Sequence, residues 1–324
     1  MRTRPGFLAR RAAGPTRGPD HTGGTATTTG KDAPERPHVG AAGLVLAAAL
    51  STQFGAAFAT MLFPHTGAAG AVTLRLTLSA LVLLAIARPR VRGYRRTDWL
   101  AILAFGLAMA AMNHLFYEAI ARIPLGTAVT LELLGPLVLS VIAGRWPQSL
   151  VWAVMAFAGA AALTGATLQV GSLLGVAFAL GAGTMWACYT LTSRRAGDRF
   201  PRLDGLALAM TVSAALSLPV GISSAGAALL SPRVLLIGLA VALMSSTLPY
   251  ALELVSLRTL PPSTFAVLLS LNPVVASAAG LVVLDQALGP VELTGILLVV
   301  AASAGAVHTA ARAHQSAATG SAPG

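Results

Sequence analysis

The stretch GTAVTLELLGPLVLSVIAG, residues Gly126–Gly144, decides the fold. It holds one ionisable side chain, Glu132, and one proline, Pro136, in a run that is otherwise apolar or small. Crossing the hydrocarbon core of a bilayer takes about 20 residues of helix. This run has that length. A carboxylate placed inside it is costly in lipid and calls for a partner, a cavity or a function.

The same signal recurs outward in both directions. Further runs read as spans over Val39–Leu62, Ala69–Ala87, Trp99–Ile120, Leu150–Thr167, Leu173–Leu191, Leu203–Ile222, Val234–Leu257, Ser263–Leu284 and Val291–Thr309, making ten transmembrane helices with the first. Most breaks between them carry turn or charge signals, such as Pro64-His65-Thr66-Gly67, Arg88-Pro89-Arg90, Arg145-Trp146-Pro147 and Leu260-Pro261-Pro262. The composition agrees. Hydrophobic residues make up 55% of the 324 positions and charged residues 10%, with mean hydropathy +0.75. About 25% charged residues is usual for a soluble domain, so an ordinary soluble globule is excluded. A wholly disordered chain needs the opposite composition. The fold class is all-α, a polytopic membrane protein.

The net charge of +11 reads as topology. With the N-terminus in the cytoplasm, the inner loops and the C-terminal tail collect Arg88, Arg90, Arg92, Arg95, Arg96, Arg145, Arg194, Arg195, Arg199, Arg202, Arg258 and Arg312. The outer loops hold only Arg122 and Arg233. Cytoplasmic loops of membrane proteins collect Lys and Arg in this way, and adding or removing one span would scramble the pattern. Both termini are therefore expected in the cytoplasm, and nucleic acid is rejected as a partner. Residues 1–37 are basic and rich in Gly, Pro and Thr. They read as a disordered cytoplasmic tail, either without function or drawn to anionic lipid, and with no apolar region to make a secretory signal. The lone Cys188 reads as a small packing residue.

An internal repeat is legible. Asn113 to Glu118, Arg122-Ile123-Pro124 and Gly135-Pro136 in the third and fourth spans have counterparts in Leu248 to Glu253, Arg258 to Pro261 and Asn272-Pro273 in the eighth and ninth. Five spans per half is an odd number, so the second half enters the membrane from the opposite side. The expected architecture is two inverted five-helix repeats, residues 38–168 and 169–310, followed by a disordered tail, 311–324. Transporters of this design hold their substrate near the midplane, beside interrupted helices. Pro136 and Pro273, each lacking an N–H near mid-span, are the candidate gating positions, with a simple packing kink as the alternative.

Few ionisable groups lie inside spans. Arg75 can grip a carboxylate with two hydrogen bonds or neutralise Glu118 or Glu132. Glu132, one turn before Gly135-Pro136, can exchange a proton, bind an ammonium group or pair with Arg75. Glu253, without a basic partner at helical spacing, is a candidate for the same tasks. Glu118 reads as a structural i,i+4 partner of Arg122. Asn113 and Tyr117 share one helix face, and Trp186 and Tyr189 share another. With Tyr250 they are candidates to line a cavity, by hydrogen bonding and by contact with a substrate ammonium, or else are packing residues. No Walker-type loop, Ser/His/Asp set or metal triad is present, so no enzyme, cofactor or metal is expected.

The segments MNHLFY (112–117), PLGTAVTLELLGPL (124–137), LGAGTMWACY (180–189), STLPYALE (246–253) and LPPSTF (260–265) resemble the EamA-domain exporters of the drug/metabolite transporter superfamily, and within them the bacterial threonine/homoserine exporters. The likeness runs from about Val39 to Thr309. It implies ten helices in two inverted EamA repeats, an inner-membrane location and proton-driven export of small amino acids or related metabolites. A pairing of two copies is left open. Two positions depart from the pattern: Asn272 stands where the family often has Glu, and Asp285-Gln286 where it often has Gly-Glu. A drug or lipophilic-cation exporter and a non-transporting membrane scaffold are the other readings.

Overall fold

The computed structural model describes residues 36–319, apart from positions 90, 92, 144–146, 170–171, 202, 257–259 and 261. In order, the elements are α1 (Arg36–Ala59), a short 3-10 turn (Thr60–Leu62), α2 (Phe63–Ala87), α3 (Arg96–Ile120), α4 (Leu125–Ala143), α5 (Pro147–Gln169), α6 (Leu173–Gly197), α7 (Asp204–Ala225), a second 3-10 turn (Gly226–Leu230), α8 (Pro232–Ala242), a π segment (Leu243–Thr247), α9 (Leu248–Ser256), α10 (Pro262–Leu269), α11 (Asn272–Leu284) and α12 (Pro290–Thr319). Among the described residues there is no strand. In lipid a helix satisfies its own backbone, which a lone strand cannot do.

Among the described residues, six helical stretches are long and apolar enough to cross a membrane: Gly40–Ala87, Arg96–Ile120, Leu173–Gly197, Asp204–Leu230, Thr264–Leu284 and Pro290–Thr309. Shorter apolar helices cover Leu125–Leu139, Val151–Ala166 and Pro232–Thr247. The chain is a multi-pass helical membrane protein. Its burial pattern is that of a molecule bathed in lipid. Large apolar side chains such as Phe157 (76% exposed), Leu236 (71%) and Val282 (70%) face outward, while Thr73, Ser79, Asn113, Thr127, Thr130, Glu132, Ser213 and Ser217 are buried. Water would favour the reverse arrangement.

Packing follows a regular scheme. α2 lies on α7 and α5 lies on α12. α3 packs on α6, as α9 and the π segment pack on α1. α4 packs on α6, as α10 and α11 pack on α1.

The turn signals at Pro64–Gly67 mark a kink, where Gly67, with φ of 66° and ψ of 175°, leaves the helical path in a conformation that suits a residue without Cβ. The eighth span is helical over its described residues with the π segment inside it, and the ninth breaks at Ser270-Leu271 between α10 and α11. Two local expectations are corrected. α12 runs to Thr319, into the stretch read as a C-terminal tail. Alanines at 310, 311, 313, 317 and 318 favour helix there. Cys188 is exposed on α6 rather than packed inside. Of the N-terminal tail, residues 1–35 lie outside the described residues.

Candidate functional site

A cavity of about 300 Å³ is enclosed by the spans on which the sequence placed its ionisable groups. Its lining comprises Ala49, Thr52, Gln53 and Ala56 of α1, Arg75 of α2, Met109, Met112, Asn113 and Phe116 of α3, and Val129 and Glu132 of α4. It is completed by Trp186 and Tyr189 of α6, Met210 of α7, Ser245 of the π segment, Pro249 and Glu253 of α9, Leu269 of α10 and Asn272 of α11. The charged members are Arg75, Glu132 and Glu253.

Arg75 is held in place by α3. Its Nη1 donates to Asn113 Oδ1 at 2.8 Å. Asn113 in turn donates from Nδ2 to the Met109 carbonyl at 2.8 Å, which turns the amide oxygen toward the guanidinium. The guanidinium carbon sits 5.6 Å from the centre of the Tyr117 ring, within the range of a cation–π contact. Arg75 Nε and the Tyr117 hydroxyl are both buried without a hydrogen-bond partner. Among the described residues no ion pair joins Arg75 to Glu132 or Glu253. The expected alternative partner Glu118 instead pairs with Arg122, which also bonds the Glu118 carbonyl at 2.6 Å and lies 5.0 Å over the Phe178 ring.

Glu132 reaches the cavity because α4 and α6 touch backbone to backbone. Pro136 has no N–H, so the Glu132 carbonyl loses its helical donor. Gly183 of α6 packs against that same carbonyl, and a Cβ there would lie 2.6 Å from the oxygen. A Cβ on Gly135 would overlap the Gly183 carbonyl. Glycine at both positions is what lets the two helices close, placing Trp186 one turn beyond Gly183 on the wall that carries Glu132.

Glu253 reaches the cavity from a different construction. In the π segment the Leu248 N–H bonds the Leu243 carbonyl. The next bond in that register would run from position 249 to the Met244 carbonyl, and Pro249 cannot donate it. Ser51 of α1 supplies the missing donor, with Oγ 2.7 Å from the Met244 carbonyl. Ser79 of α2 holds Ser246 at 2.9 Å between hydroxyls. π segments of this kind recur at functional sites.

The cavity thus brings together Arg75, Asn113, Glu132, Trp186, Tyr189 and Glu253 of the expected residues. Tyr117 is fully buried beneath Arg75 and does not line it. The side chain of Tyr250 lies outside the described residues. Pro136 stays within an unbroken α4, while Pro273 begins α11 just after the break, beside the cavity-lining Asn272. Gln286, at the second departing position, accepts the Leu125 N–H at 2.9 Å and so caps α4. Sequence reasoning did not single out Gln53, Ser245 or the methionines. Gln53 is the one side-chain amide in Val39–Leu62, a usable signal. The methionines carry none, since apolar side chains in a span look alike.

A family model described as EamA-like transporter family matches residues 173–307. The chain is also 38% identical over 268 residues to the threonine/homoserine exporter RhtA of Escherichia coli, covering 82% of this chain and 90% of that one. The chain belongs to the EamA-like transporter family. The match to the threonine/homoserine exporter RhtA of Salmonella typhimurium is 38% over 275 residues, 84% of this chain and 93% of that one. An uncharacterized transporter of Bacillus subtilis, YwfM, is 30% identical over 250 residues, 72% and 84% respectively. A solved crystal structure covering 83% of this chain and 98% of its own shares the fold, with a TM-score of 0.54 at 19% identity. This EamA-like protein is therefore a transporter and not an enzyme.

Proposed function

We propose that this EamA-like transporter exports small amino acids of the threonine/homoserine kind across the cytoplasmic membrane, by alternating access in exchange for protons. The observation that carries this reading is one cavity holding a fixed guanidinium and two unpaired carboxylates among the described residues. A zwitterion presents the complementary charges. Arg75, oriented by Asn113, takes the carboxylate with its remaining N–H groups. Glu132, within electrostatic reach of Arg75, takes the ammonium, and Trp186 and Tyr189 add aromatic faces. The names of the RhtA relatives favour the same cargo.

The paired packing of α3 on α6 with α9 on α1, and of α4 on α6 with α11 on α1, favours two inverted repeats over residues 38–168 and 169–310. The Arg-rich loops favour cytoplasmic termini. Pro136, which frees a carbonyl inside α4, and Pro273, which starts α11 just after the break, mark where helices can bend during gating. The test is uptake of labelled homoserine and threonine into inside-out vesicles, with and without a proton gradient. Gradient-dependent uptake that falls in Arg75→Ala and Glu132→Gln is expected. Uptake indifferent to the gradient rejects proton exchange, and uptake indifferent to both substitutions rejects the site. A lipophilic cation would not need Arg75, so transport of a cationic dye that is lost only in the glutamate variants would favour that cargo instead.

A further inference from the structure

The cavity has two acidic walls and one basic point. Glu132 stands on the wall made by α4 and α6, and Glu253 on the wall made by α9 and α1. Arg75 is tied to α3 through Asn113, beside the first wall. Glu132 is only 9% exposed and lines the cavity. Neither carboxylate has a hydrogen bond or ion pair within the described residues. Among the described residues, Arg75 is the one other charged side chain lining the cavity with them. His114 of α3 is not a lining residue and instead meets Ser217 of α7 at 3.0 Å.

A zwitterionic amino acid uses Arg75 and one carboxylate. The second carboxylate then remains unmatched within a membrane span, where an unpaired charge is expensive, unless a proton takes its place. A cargo with one carboxylate and two ammonium groups matches all three charges. Resting on the amino-acid reading above, we infer that Glu253 is the side-chain subsite and that the transporter also takes short diamino acids. The α-carboxylate lies at Arg75, the α-ammonium at Glu132 and the terminal ammonium at Glu253. A terminal hydroxyl donates one hydrogen bond to the same carboxylate, so hydroxylated and aminated cargoes share the pose. An unsubstituted alkyl end leaves Glu253 without a donor.

The experiment uses the full-length protein in proteoliposomes and three probes of equal chain length: homoserine, α,γ-diaminobutyrate and α-aminobutyrate. Binding of each is measured on wild type and on Glu253→Gln. For wild type, diaminobutyrate is expected to bind at least as tightly as homoserine, and aminobutyrate roughly tenfold more weakly, as suits loss of one hydrogen bond to a charged group. Glu253→Gln should collapse the advantage of diaminobutyrate over aminobutyrate by about tenfold or more, with a smaller change for homoserine. Diaminobutyrate binding no better than aminobutyrate, with homoserine bound, overturns the inference and leaves amino-acid export standing. An advantage that survives Glu253→Gln also overturns it. Tight diaminobutyrate without homoserine binding sustains the subsite and removes homoserine as cargo. Binding of none of the three overturns both readings.

Discussion

The two walls of the cavity solve one problem in different ways. On the α4–α6 side a proline sits in an unbroken helix, and its orphaned carbonyl, on Glu132, is covered by the backbone of Gly183. On the α8–α11 side one span is widened by the π segment before Pro249 and the next is interrupted before Asn272-Pro273. There the orphaned carbonyl of Met244 is satisfied by a side chain, Ser51, reaching across from α1. A backbone contact between two glycines has one geometry, whereas a hydroxyl on a rotatable side chain can let go and rebond. The first construction fixes the backbone that carries Glu132, and the second leaves the Met244 carbonyl with a replaceable side-chain partner.

The largest effect should come from disturbing the close wall. Gly183→Ala places a methyl group against the Glu132 carbonyl, and overpacking of this kind costs about 1–3 kcal/mol. Uptake should be lost along with several degrees of thermal stability in detergent, and a Gly183→Ala protein with normal uptake would break the comparison. Next comes Arg75→Lys. Lysine keeps the charge and loses the planar fork, so homoserine uptake should fall roughly tenfold or more, by the loss of a charge-assisted bond. Its melting temperature should move little.

The second wall is probed by a double-mutant cycle. Ser51→Ala alone should lower stability by about 1 kcal/mol, since Met244 loses its replacement donor. Restoring an N–H with Pro249→Ala should make the Ser51 change nearly silent, a coupling that adds up only if the two residues serve one carbonyl. Additive effects would separate them. The smallest effect is expected far from the cavity. Arg199 meets Asp98 at 2.5 Å, yet its side chain is 55% exposed. Asp98 is also held by the Arg95 N–H at 2.9 Å. Arg199→Ala should therefore leave the melting temperature almost unchanged, since exposed ion pairs contribute little, measured by the same thermal unfolding.

Much of this is legible in the sequence. Hydropathy marks the apolar runs because lipid demands about 20 such residues together, and Arg75, Glu132 and Glu253 stand out because charge in a span is rare. The proline effects were not equally legible. A sequence shows that Pro136, Pro249 and Pro273 lack an N–H, but not which neighbour repairs the loss. Gly183, 47 positions after Pro136, covers one freed carbonyl, and Ser51, 198 positions before Pro249, donates to another. Tyr117 shares a helix face with Asn113, so spacing alone made both cavity candidates. Only three-dimensional packing shows that Tyr117 is buried against Arg75 and does not line the cavity.

The central claim is that cargo occupies the space between these two walls. It is tested most directly by placing a single cysteine at Gln53, in a Cys188→Ser background, and labelling it with a charged, membrane-impermeant thiol reagent from either side. The account predicts labelling from at least one side and slowing of that labelling by homoserine. A position 53 that labels freely at an unchanged rate under saturating homoserine, in a protein that still transports it, would contradict the account.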